Sequence, residues 1–214
     1  MIENRLTFIT RLVPHLNQQD IGLVMFAYDL YKEAHRTQKR QKGGRYFEHP
    51  RAGCIILMDE LGVYEPELLI SFLLHDVGED TPLFGNVTDG YAEFIRTAQF
   101  RIARIFGDHI ADTVIRLTKP HVDEFTKDFT SKSQMMQHYI TELAKNEDAL
   151  VGKAIDRLHN LRSPSPKLGW AEKQIKETRE FLLPLFKTVT SNRKDLMLHI
   201  VEKIESQINH LETV

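Results

Sequence analysis

The stretch PELLISFLLHD, residues 66–76, decides the fold of this chain of 214 residues. Apolar residues cover every face that a helix from Leu68 to Leu74 would present, and Pro66 suits the first turn of such a helix. A short strand is the alternative, but Leu and Phe with a single β-branched residue favour a helix. The sequence therefore predicts a helix buried at the centre of a bundle, ending at the polar pair His75-Asp76.

The same helical spacing continues on both sides of this stretch. Apolar residues recur every three or four positions over 21–35, which predicts a helix there. Pro50 opens a second helix that ends near Gly62. We predict further helices near 90–106, 109–117, 132–145 and 149–161, and helical structure over 170–212 that Pro184 must kink or break.

Length and composition predict a single all-α domain over residues 1–214. Hydrophobic residues make up 42% of the chain and charged residues 27%, which is ordinary for a globular protein. No apolar run approaches the ~20 residues of a membrane span, and we expect no membrane partner. The single cysteine, Cys54, cannot form an internal disulfide, so a cytoplasmic location is expected. A net charge of −2 argues against a long nucleic acid as partner.

The pair His75-Asp76 is the first indication of chemistry. A buried carboxylate and histidine are costly unless they are paired or bound to a metal ion. Imidazole and carboxylate together suit a divalent transition ion such as Mn²⁺, Fe²⁺ or Zn²⁺. Taken alone, however, the pair is better explained as an exposed cap at the end of a helix.

Two further residues favour a metal site over an exposed helix cap. His49 lies just before Pro50, and Asp156 lies in the helical stretch KAIDRLHNLR, residues 153–162, whose apolar positions face the core. Facing helices build metal sites in the interiors of bundles. We therefore predict one divalent ion held by His49, His75, Asp76 and Asp156. Arg157 and His159 are expected to be surface or ion-pair residues elsewhere on the last of these helices.

These motifs resemble the HD phosphohydrolase superfamily and, within it, the stand-alone RelA/SpoT-type small alarmone hydrolases. The resemblance extends over roughly residues 20–187 and leaves a C-terminal helix over 188–214. It implies an HD-type helical bundle that forms one hydrolase domain. The stretches that carry it are AHRTQKR (34–40) running to YFEHP (46–50), LHDVGEDT (74–81), LTKP (117–120) and DRLHNLR (156–162).

Glu79 and Asp80 are the predicted catalytic acids. If the helix continues through Gly78, they lie one turn beyond His75 and Asp76, near the metal. There they can orient or deprotonate a water and protonate the leaving oxygen. The alternative is an exposed acidic helix end, which the helix dipole disfavours.

The predicted substrate contacts begin in the basic loop KRQKGGR, residues 39–45. Its cations suit a substrate with several phosphates, although a solvated loop is an equal alternative. The resemblance implies that Arg40 stacks on the nucleobase and that Asn160 contacts the ribose or phosphate. Lys42 and Arg162 complete the candidates. The loop departs from the family pattern RKSGxPY at Gln41 and Arg45, which leaves the choice of base open.

The resemblance implies Mn²⁺-dependent removal of the 3′-pyrophosphate from guanosine tetra- or pentaphosphate, giving GDP or GTP. Adenosine alarmones or another nucleotide are the nearest alternatives. A non-catalytic nucleotide sensor and a metal-free structural module are alternatives from other classes. Glu79 and Asp80 favour the enzyme over the sensor, because a binding protein needs no acid pair. The oligomeric state stays open.

Overall fold

The computed structural model describes residues 3–39, 45–77, 81–85, 90–120, 131–163 and 167–213. The predicted site residues Arg40, Lys42, Glu79 and Asp80 lie outside these ranges. Within them no β-strand forms, and an isolated β-bridge pairs Lys39 with Arg45.

The helices follow one another closely, and two of them are extended by a π-helical turn, Ile56–Glu60 after the third and Thr178–Leu182 after the ninth. In chain order they are α1 (Arg5–Leu12), α2 (Gln18–Ala34), α3 (Glu48–Ile55), α4 (Pro66–Leu74), α5 (Tyr91–Phe106), α6 (Asp108–Leu117), α7 (Lys132–Leu143), α8 (Glu147–Arg162), α9 (Trp170–Glu177), α10 (Leu183–Phe186) and α11 (Lys194–Thr213).

Helix α4 is the central helix that the sequence predicted. Every residue from Leu68 to Leu74 is buried, and Pro66 occupies the first turn. Contacts with α2, α3, α6 and α8 cover its faces. Burying a leucine or phenylalanine side chain contributes about 1.5–3 kcal/mol, so this helix holds the bundle together. The prediction of an all-α bundle is confirmed.

Helix α3 packs closely against α4 at Gly53. A Cβ atom on Gly53 would lie 2.0 Å from Cε1 of Phe72, a distance that no pair of non-bonded carbons tolerates. Glycine is therefore required there by the close approach of the phenylalanine ring. The contact sets the spacing between the helix that carries His49 and the helix that leads to His75.

Helix α1 was not predicted. Its signal is a capping box at Asn4. The Asn4 side chain accepts the backbone N–H groups of Leu6 and Thr7, and the Thr7 hydroxyl accepts the Asn4 N–H. Phe8 and Leu12, four residues apart, bury one face of the helix.

The C-terminal helical stretch is interrupted two residues after Pro184 and not at Pro184 itself. The π-helical turn Thr178–Leu182 directly precedes Pro184, which stands in the first turn of α10 and has no N–H to donate. The helical structure ends at Phe186 and resumes at Lys194. Nowhere in the described ranges is a helix both long and apolar enough to span a membrane.

Candidate metal centre

Three helices bring the four predicted ligands together. His49 lies in the first turn of α3, His75 and Asp76 directly follow α4, and Asp156 lies in α8. These helices contact one another. All four side chains are buried, with exposures of 3% for His49, 4% for His75, 8% for Asp76 and 7% for Asp156.

Asp76 lies between the two histidines. Its Oδ1 is 2.9 Å from Nε2 of His75, and its Oδ2 is 3.9 Å from Nε2 of His49. One ligand atom from each of these three residues lies within 4.8 Å of the others. Asp156 borders this group through its Oδ1, which is 3.1 Å from Nε2 of His49.

The residues present fit a divalent metal ion. Oδ2 of Asp76 is buried and accepts no hydrogen bond from any residue in the described ranges. Nδ1 of His75 donates to the carbonyl of Phe72 at 2.6 Å, so the lone pair of the neutral ring lies on Nε2, which faces Asp76. A buried carboxylate oxygen without a donor is costly. A cation beside it would remove that cost, and imidazole with carboxylate suits a transition ion.

The His75–Asp76 pair shifts both pKa values. Burial lowers the pKa of His75, but the charge of Asp76 and their hydrogen bond outweigh burial and raise it to about 9. Burial raises the pKa of Asp76, but the interactions with His75 and the charge of His49 together outweigh burial and lower that pKa to about 2. Without a metal ion, His75 is therefore protonated on both ring nitrogens at neutral pH. A metal ion that binds Nε2 displaces the proton from that nitrogen.

We expect Mn²⁺ to bind more tightly as the pH rises from about 7 toward 9. Because the pKa of His75 is about 9, each pH unit below it lowers by about tenfold the fraction of His75 whose Nε2 is free to bind a metal ion. The apparent dissociation constant should therefore fall by about tenfold per pH unit and level off above the pKa. Isothermal titration calorimetry with Mn²⁺ under anaerobic conditions measures the affinity. Repeating it in buffers of different ionisation enthalpy gives the number of protons released on binding. An affinity that stays flat over this range contradicts the assignment.

Lys153 and Asn160 hold the carboxylate of Asp156 in place. Nζ of Lys153 donates to Oδ2 at 2.7 Å, and Nδ2 of Asn160 donates to Oδ1 at 2.6 Å. Burial raises the pKa of Asp156, but the charge of Lys153 together with the interactions with His49 and His75 outweighs burial and lowers that pKa well below its usual value. Asp156 is therefore an anion beside His49. Lys153 was missed in the sequence, although its spacing of three residues from Asp156 was a usable signal.

The structure places two of the predicted substrate contacts. Asn160 lies beside Asp156. Arg162 forms a two-pronged ion pair with Glu60, with N–O distances of 2.6 and 2.9 Å, and so ties the end of α8 to the turn after α3. A role in substrate binding for either residue stays a prediction.

His159 was also missed. It is half-buried, and its Nδ1 lies 2.7 Å from Nδ1 of His49. The expectation of a surface or ion-pair residue was therefore wrong, because that face of α8 packs against α3. Arg157 is ion-paired as expected, with Glu177 at 2.7 Å, but it is buried.

The chain is similar in sequence to proteins named for making or for hydrolysing guanosine pyrophosphates. No protein-family model matches the chain. It is 33% identical over 173 residues to a GTP pyrophosphokinase of Streptomyces coelicolor, and this alignment covers 80% of this chain and 18% of that protein. It is 34% identical over 141 residues to a guanosine-3′,5′-bis(diphosphate) 3′-pyrophosphohydrolase of Spiroplasma citri, which covers 64% of this chain and 16% of that protein. The chain thus spans less than a fifth of the length of these relatives.

A solved structure shares the fold. It is described as a metazoan ortholog of SpoT that hydrolyzes ppGpp and plays a role in starvation responses. The superposition has a TM-score of 0.64 at 18% sequence identity, and it covers 90% of this chain and 97% of the other. At this identity the likeness establishes the helical fold.

Proposed function

This chain is a RelA/SpoT-like protein of the HD type, and on that premise we propose that it removes the 3′-pyrophosphate from guanosine tetra- and pentaphosphate, releasing GDP or GTP. The observation that carries the proposal is the buried group of His49, His75 and Asp76, whose ligand atoms lie within 4.8 Å of one another. It stands where the motif LHDVGEDT begins. The name of the Spiroplasma citri relative describes this same activity.

Hydrolysis is favoured over synthesis by the chemistry of the site. A metal ion held by imidazole and carboxylate groups lowers the pKa of a bound water and neutralises charge on phosphoryl oxygens. Buried acids and histidines at the meeting point of three helices suit that task. The Streptomyces coelicolor relative is named a kinase, but this chain spans 18% of it.

In the proposed mechanism each residue has a separate task. His49, His75, Asp76 and Asp156 would hold the ion, which we propose to be Mn²⁺. Lys153 and Asn160 keep Asp156 charged and oriented.

The residues outside the described ranges complete the proposal. Glu79 and Asp80 orient the attacking water and transfer a proton to the leaving oxygen. Arg40 and Lys42 bind the base and the phosphates. Within the described ranges, Asn160 would contact the ribose or phosphate, and Arg162 is a further candidate for substrate binding; both lie in the last turn of α8.

Product analysis with metal-stripped protein tests this proposal. We expect Mn²⁺-dependent release of pyrophosphate and GDP from guanosine tetraphosphate, and no release without the metal. GDP and GTP serve as control substrates, since they carry no 3′-pyrophosphate. Faster turnover of the adenosine alarmone would move the proposal to adenine. Failure to hydrolyse either alarmone, with Mn²⁺ bound, would refute it.

A further inference from the structure

We propose that His159 positions His49 as a metal ligand by accepting the hydrogen on its Nδ1. The proposal deepens the metal site that the proposed function requires. The two Nδ1 atoms are 2.7 Å apart, a hydrogen-bond distance. The two rings lie 4.6 Å apart between centroids and are tilted by 50°, so they meet through these atoms and are not stacked face to face.

The identity of the donor follows from what a metal ligand needs. An imidazole binds a metal ion through a nitrogen lone pair, and the neutral ring has one such nitrogen. Nε2 of His49 faces Asp156 at 3.1 Å and Asp76 at 3.9 Å, so it is the nitrogen that a metal ion beside these carboxylates would engage, and with the ion bound Nε2 carries the lone pair. The hydrogen of His49 is then on Nδ1 and is donated to Nδ1 of His159. His159 in turn carries its own hydrogen on Nε2.

His75 has the same arrangement with a different acceptor. Its Nδ1 donates to the backbone carbonyl of Phe72 at 2.6 Å. Ligand histidines usually donate their other N–H to a fixed acceptor, which sets the tautomer and the ring orientation. The carbonyl of Phe72 can only accept, whereas the acceptor of His49 is a side chain. A substitution at position 159 can therefore remove the acceptor of His49, whereas a side-chain substitution does not remove the backbone acceptor of His75.

His159 also connects two ligands through one helix. It follows Asp156 by three residues in α8, so both side chains lie on the face of α8 that meets α3. Asp156 contacts Nε2 of His49 and His159 contacts Nδ1 of the same ring. The imidazole of His49 is thus held at both nitrogens by one rigid element. This makes His159 a positioning residue.

The test is the Mn²⁺ affinity of purified variants, measured from the electron paramagnetic resonance signal of free Mn²⁺. We expect His159→Leu to weaken binding by about 10- to 100-fold. His159→Asn should stay near wild type, because its Oδ1 can accept in the place of Nδ1. His210→Leu, a histidine exposed on α11, is the matched control and should bind like wild type. Wild-type affinity in His159→Leu, or equal losses in the Leu and Asn variants, would overturn the proposal.

A second readout uses the wild-type chain alone. In Zn²⁺-loaded protein with ¹⁵N-labelled histidine, the hydrogen of His49 should appear on Nδ1 as a protected downfield signal. A hydrogen on Nε2 of His49, or none on Nδ1, would refute the assignment even if no variant folds. Neither measurement involves an alarmone. Absence of alarmone hydrolysis would therefore leave this result standing, and the two failures are distinguishable.

Discussion

Replacing Asp76 by asparagine is expected to reduce metal-dependent turnover by more than ~100-fold, the upper range for residues that only support a ligand. Asparagine keeps the size of the side chain and removes its charge. Asp76 lies 2.9 Å from Nε2 of His75 and 3.9 Å from Nε2 of His49, so it is the anion that both histidines share. Its loss should lower metal occupancy and rate together.

Turnover of the guanosine alarmone and metal content by mass spectrometry measure the effect in the same preparation. Asp148→Asn is a matched control, because Asp148 also pairs with a histidine, His109, at 2.9 Å. That pair lies at the start of α8, away from the cluster. The control should keep its metal and its rate. Full turnover by Asp76→Asn would remove Asp76 from the ligand set.

Replacing Gly53 by alanine is expected to destabilise the protein by about 1–3 kcal/mol, or more if the ring of Phe72 cannot move. The new Cβ would lie 2.0 Å from Cε1 and 2.4 Å from Cζ of that ring. Phe72 is fully buried in α4, so the clash must separate α3 from α4. Metal affinity should fall with stability, since His49 and His75 stand on opposite sides of this contact.

Gly22→Ala provides the control for this change. Gly22 lies inside α2, and a Cβ there meets nothing within 4 Å. Alanine should therefore stabilise the helix by about 0.5–1 kcal/mol. Urea unfolding of both variants gives the free energies. Opposite signs are expected, and equal effects would show that the approach of Phe72 is not what selects glycine at position 53.

The sequence predicted those features that depend on a single helix. Burial of every residue from Leu68 to Leu74 follows from the composition of α4, and the end of that helix before His75 follows from the change to polar residues. His49 and Asp156 could be placed beside this pair by their motifs, and the structure brings all four side chains to one meeting point. Their role as metal ligands stays a prediction until an ion is measured.

The features that could not be predicted from the sequence depend on how the helices pack against one another. The rotation of α8 against α3 decides whether His159 points at solvent or at His49. The sequence of α8 alone does not determine that rotation. The same holds for Arg157, whose burial comes from α9. Helix α1 was missed for a different reason, because its capping box was present in the sequence and was not recognised.

Phe72 takes part both in the packing of α3 against α4 and in the metal site. Its ring fills the gap that Gly53 leaves, and its carbonyl accepts the hydrogen of His75. A change in the size of residue 53 or residue 72 is expected to alter the spacing between α3 and α4, while the backbone carbonyl of residue 72 remains an acceptor for His75. We therefore expect the two positions to be coupled, so that a larger residue at position 53 needs a smaller side chain at position 72.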